Sequence, residues 1–150
     1  VLDRTREELS QELGTARDAI DRFRTACAEL AAQRSASDMT LLQEVDAIPA
    51  GGDATRKLRE ALERIDAHAQ RMRDNQRAQA VALGELVVFL TEHADRMRFD
   101  NRGPVFNDPD DLAAYNTLAQ AARGLSTEET RLADGIEIET RTEFARLARE

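Results

Sequence analysis

The chain has 150 residues, of which 41% are hydrophobic and 33% charged, with a net charge of −8 and a single Cys. A chain this long buries roughly 70% of its unfolded surface, and its apolar residues are periodic rather than sparse, which excludes disorder. The acidic balance repels phosphate backbones, so no nucleic-acid partner is expected, and the longest apolar run, Leu86–Leu90, falls far short of the ~18 residues of a membrane-spanning helix.

The first segment carries Leu9, Leu13, Ala16, Ile20, Phe23, Cys27 and Leu30 at alternating steps of four and three, the seam of a helix that packs lengthwise on others. Thr5 with Glu8 offers a capping box. Ser35-Ala36-Ser37-Asp38 is a candidate break, after which Met39, Leu41, Leu42, Val45 and Ile48 continue the pattern to a turn at Pro49-Ala50-Gly51-Gly52. Cys27 lies on the seam as a small hydrophobe, with a reactive thiol as the other reading. One cysteine allows no intrachain disulfide.

Asp53 is a candidate N-cap for a second helix over about 54–98, with Leu58, Leu62, Ile65, Ala69 and Met72, then Leu83, Leu86 and Leu90, on its seam. Residues 53–77 are net +2, against −4 for 1–50 and −5 for 107–150. That pattern matches charge between neighbouring helices, or else offers a patch to an acidic partner. The beat from Met72 reaches Gln76 and Gln79, where buried amides need partners. A hairpin register sets them near Phe23, Cys27, Glu128, Glu129 and Arg131, as a polar layer, a solvated splay or a small-ligand site. His93 falls on the seam near Ala114 and Tyr115, as a hydrogen-bonded pair, a ligand site or a pH sensor. His68, the other histidine, is about 37 Å from it along one helix, too far to share a metal.

Between the second and third helices, residues 98–108 bring Phe99, Val105 and Phe106 to one end, as a core plug or an interaction tip. Asp108-Pro109-Asp110-Asp111 is a helix start: Asp108 caps, Pro109 suits the first helical position, and two acids favour the positive end of the helix. The third helix, about 109–150, carries Leu112, Tyr115, Leu118, Ala119, Ala122 and Leu125, then Leu132, Ile136, Thr140, Phe144 and Leu147. Gly124-Leu125-Ser126 is a second candidate break.

Three segments of similar length, about 3–48, 54–98 and 109–150, predict one all-α domain over 1–150. It is an elongated, antiparallel, up-down-up three-helix bundle with coiled-coil-like packing; a four-helix bundle is the alternative if a candidate break is real. No phosphate loop, Gly-x-Ser-x-Gly, His-Glu-x-x-His or Cys-x-x-Cys motif is present. Ile65 and Leu90 stand where di-iron bundles place a Glu three residues before each His, and 108–111 lacks the spacing of a calcium-binding loop. No catalytic residue, metal or cofactor is therefore assigned.

The stretch Leu86–Leu118, with Phe89-Leu90, Val105-Phe106 and Tyr115-Asn116, resembles helical proteins that bacteria anchor in the inner membrane. The 20 Arg to one Lys suits a GC-rich bacterial genome. The chain opens on Val1 rather than Met, which fits a piece of a longer protein with an anchor upstream. The expected function is a non-enzymatic interaction or spacer module, periplasmic or otherwise extracytoplasmic, with the cytoplasm as the alternative. It would bind a protein partner or itself and reach a membrane only through a segment outside this chain. The alternative is a small-molecule sensor domain with a pocket among the helices.

Overall fold

The computed structural model describes residues 6–48, 52–100 and 102–147. Among them are three helices, α1 (Arg6–Asp46), α2 (Asp53–Glu92) and α3 (Pro109–Leu147), and a small antiparallel pair, β1 (Met97–Asp100) and β2 (Gly103–Phe106). The protein is thus helix-rich and all-α apart from one hairpin. The expected cap at Thr5 and the turn at Pro49-Ala50-Gly51 lie outside the described residues, as do the side chains of Phe144 and Leu147 and the helix ends at 3–5 and 148–150.

Neither candidate break is present. α1 runs unbroken through Ser35-Ala36-Ser37-Asp38, where the Ser37 hydroxyl donates to the Gln33 carbonyl at 3.2 Å and Thr40 to Ala36 at 3.0 Å. Each hydroxyl is absorbed by the preceding turn, so it does not compete for the helix backbone. α3 likewise passes through Gly124-Leu125-Ser126; one Gly costs a helix only about 1 kcal/mol, which neighbouring turns carry. Asp53 is not the cap of α2. The Gly52 carbonyl accepts from the amides of Thr55 and Arg56, so Gly52 precedes the helix and Asp53 is its first residue, paired to Lys57 at 2.8 Å and to Arg56.

The second helix is shorter than the expected 54–98. It ends at Glu92, and Met97 and Arg98, at the end of the expected helix, belong to strand β1. Met97 and Phe99 alternate with exposed Arg98 and Asp100, a period of two that a strand satisfies. Register pairs Met97 with Phe106, Arg98 with Val105, Phe99 with Pro104 and Asp100 with Gly103. The Asp100 carboxylate accepts from the Arg102 amide at 2.7 Å, and Gly103 takes φ 128°, a conformation that favours glycine. The start of α3 is as expected: the Asp108 carboxylate accepts from the Asp110 amide at 2.9 Å and its carbonyl from Leu112 at 3.1 Å.

The chain packs as two units, each drawing on all three helices. The first comprises the N-terminal part of α1 to residue 25 and residues 77–126. Its buried residues are Leu9 and Leu13 on α1, Ala80 and Ala82 on α2, and Ala119 and Ala122 on α3. The second comprises residues 26–76 and those from 127 onward, with Val45, Ala61, Ala69 and Leu132 buried. Alanine holds many of the buried positions in both units.

Candidate functional site

In the first unit, an aromatic cluster joins the hairpin to the helices. Phe106 lies 5.9 Å from Phe89 and 5.3 Å from Tyr115 between ring centroids, tilted arrangements that aromatic pairs favour. His93 stacks on Phe89 at 4.0 Å. Its Nδ1–H donates to the Phe89 carbonyl at 2.8 Å, which also accepts from the His93 amide at 3.1 Å. Its Nε2 lies 3.3 Å from Asp111, whose other carboxylate oxygen is 3.5 Å from Arg96. Asp111, in the first turn of α3, thereby ties the end of α2 to the start of α3. The expected partner of His93 was Tyr115; the imidazole pairs instead one helical turn earlier, and Tyr115 packs on Phe106.

The three residues expected at an interaction tip divide. Phe106, Phe99, Pro104 and Met97 share one face of the hairpin, and Val105 shares the other with Arg98, because cross-strand partners lie on one face. Phe106 packs in the aromatic cluster and is itself half-buried. Phe99 and Val105 are half-buried.

In the second unit, Gln76 meets two of its expected neighbours. Its amide donates to Glu129 at 3.2 Å and accepts the Cys27 thiol at 4.0 Å. Burial pushes the Cys27 thiol up, and the Glu129 carboxylate adds to it, so this cysteine holds its proton more firmly than an ordinary thiol. Gln79 belongs to the first unit and is half-buried. Sequence reading missed a second polar cluster. His68 Nε2 is 2.5 Å from Glu139, and Arg64 spans Glu139 at 3.9 Å and Glu143 at 2.8 Å. Arg146 adds a contact to Glu143 at 3.5 Å. The signal was the run Glu139-x-x-x-Glu143 opposite Arg64-x-x-x-His68, two four-residue steps that place like groups on one helix face.

Two open grooves lie among the described residues, one in each unit. One, of about 620 Å³, lies in the first unit between α1 and α2, with Leu118 of α3 at its floor. Val81 and Val88 stand exposed in it, at 51% and 45%. The other, of about 380 Å³, lies in the second unit and is bordered by Cys27, Leu30, Met72, Arg73, Gln76 and Ile136. Among the described residues no three His, Cys, Asp or Glu converge as metal ligands, and no helix is long and apolar enough to cross a membrane. Comparison with protein families, curated proteins and solved structures finds no match.

Proposed function

We propose that this chain is a non-enzymatic helical module for protein interaction or spacing, belonging to a bacterial protein and forming the soluble part of a membrane-anchored one. The reading includes an antiparallel three-helix bundle with coiled-coil-like packing. The observation that carries it is the apolar groove of the first unit. Large side chains left in solvent along one helix face mark interaction sites when they are contiguous, and Val81 and Val88 stand one heptad apart there. The groups that chemistry would draw on are engaged inside the chain: His93 by Asp111 and Phe89, His68 by Glu139, and Gln76 by Glu129. The test is affinity capture with the chain and with a Val81→Asp/Val88→Asp variant, quantified by mass spectrometry. Partners enriched on the parent over the variant are expected; identical recovery on both refutes the reading.

A small-molecule sensor is the second reading, favoured by the groove that places Gln76 and Cys27 beside Met72 and Ile136. A ligand held there would raise the melting temperature, by an amount that grows with the logarithm of its concentration above the dissociation constant. Absence of any stabilisation across a library of small metabolites refutes it.

A further inference from the structure

We propose that the groove of the first unit seats a second copy of this chain, in a two-fold dimer whose axis runs along the groove. The inference rests on the interaction reading above and names its partner.

On α2 the groove is lined by Val81, Glu85, Val88 and Glu92, at steps of four, three and four. They form one continuous helix face, on which Val81 and Val88 alternate with Glu85 and Glu92. On α1 the lining residues are Arg17, Ile20, Asp21 and Arg24, again one continuous face of a helix. Ile20, Gly84 and Leu118 add apolar surface between them.

The charges on the two walls are opposite. The α1 wall carries Arg17 and Arg24, with Asp21 lying 3.9 Å from Arg24, and is net positive. The α2 wall carries Glu85 and Glu92 and is negative. A uniformly acidic or basic partner is attracted by one wall and repelled by the other. A second copy is not. In a two-fold interface the same patch meets itself, and an axis along the groove sets each α1 wall over the other copy's α2 wall. Every Arg wall then faces a Glu wall, with the valines closing between them. An axis across the groove sets like walls together and is disfavoured, so the charge pattern selects the arrangement as well as the partner.

Gly84 supplies an independent handle. A Cβ built there meets nothing within 4 Å, so a side chain at 84 starts in open space on the single chain and extends toward the space the second copy needs.

Sedimentation equilibrium over a dilution series from micromolar to millimolar tests the proposal. The parent chain dimerises. Gly84→Leu weakens dimerisation about tenfold or more, a change of about 1.4 kcal/mol in association, while its helical content at concentrations where both chains are monomeric matches the parent's. Arg17→Glu/Arg24→Glu, with two acidic walls, and Glu85→Arg/Glu92→Arg, with two basic walls, are each monomeric alone. Mixed in equal amounts they form a heterodimer. Three results overturn the proposal: a parent chain that stays monomeric throughout, wall variants that dimerise alone like the parent, or a mixture that stays monomeric. A monomer that still captures a partner dependent on Val81 and Val88 overturns the dimer and leaves the interaction reading standing. A monomer that captures none overturns both.

Discussion

Glu143 is the most enclosed carboxylate with a described ion pair, at 11% side-chain exposure, and removing its charge is the sharpest test of the packing in the second unit. Arg64 Nη2 lies 2.8 Å from its Oε1, and Arg146 Nε lies 3.5 Å from its Oε2. Charges about 4 Å apart attract by about 4 kcal/mol at an effective dielectric of ~20. The Arg64 side chain is 39% exposed, so water screens part of that attraction and desolvation of the carboxylate offsets more. A coupling of about 1–2 kcal/mol between Arg64 and Glu143 remains, between the values of exposed and buried pairs. Glu143→Gln keeps the shape and removes the charge, and Arg64→Ala removes the partner. Urea unfolding followed by circular dichroism gives each single cost and the double, and the double falls short of the sum by that 1–2 kcal/mol. Raising the salt erodes the coupling only in part, since an enclosed pair is screened less than a surface one. Additivity within ~0.5 kcal/mol refutes the reasoning, because the pair would then contribute geometry without energy.

Leu132→Ala, at a buried position of α3, costs about 2–5 kcal/mol by transfer and cavity formation, read as a lower urea midpoint; a loss below ~1 kcal/mol would show a solvated site. Gly84→Ala gains about 1 kcal/mol from helix propensity, since its Cβ meets nothing within 4 Å, and a fall in melting temperature contradicts this. The Asp53 carboxyl is held below the ordinary carboxylate range by hydrogen bonds from Lys57 and then Arg56. Its contribution is therefore present above the unfolded-state value and lost as pH falls through the lower folded-state value. The stability difference between the parent and Asp53→Asn is accordingly constant above about pH 4 and shrinks as the pH falls further through the lowered folded-state value, and a difference that stays constant into strong acid refutes the pairing. Cys27, raised mainly by burial, alkylates with iodoacetamide more slowly at pH 8 than an unhindered thiol. Glu129→Gln restores only part of the rate, and a parent rate equal to that of glutathione overturns this.

How far the sequence carries depends on how local each signal is. Asp108-Pro109-Asp110-Asp111 specifies a helix start through its own side chains, and Asp108 caps Asp110 as expected. The meeting of Gln76 with Cys27 and Glu129 follows from register alone, because each side chain needs a polar neighbour where the seam turns polar. The hairpin was written in the chain as Met97-Arg98-Phe99-Asp100 and Gly103-Pro104-Val105-Phe106 around a turn. A helical stripe claims the same Met97 and Phe99, and the two periods compete over so short a stretch. Ending α2 at Glu92 also moves the partner of His93 by one turn, from Tyr115 to Asp111. The groove was hidden for a different reason. Leu86-Val87-Val88-Phe89-Leu90 is apolar on every side, and only the packed chain distinguishes half-buried Leu86 and Leu90 from exposed Val88. The Arg64–His68 and Glu139–Glu143 pairing left a signal of low specificity, since surface charges at four-residue spacing occur on many solvated helices.

Photo-crosslinking tests the central claim, that the groove of the first unit is a protein-binding surface. A photoreactive amino acid replaces Val88 in the groove or, as a control, Asn116 on an exposed face of α3, and the chain is irradiated in cells that produce it. Protein adducts that form from position 88 and not from 116 are the predicted result. Equal labelling from both positions, or no adduct from 88, contradicts the account.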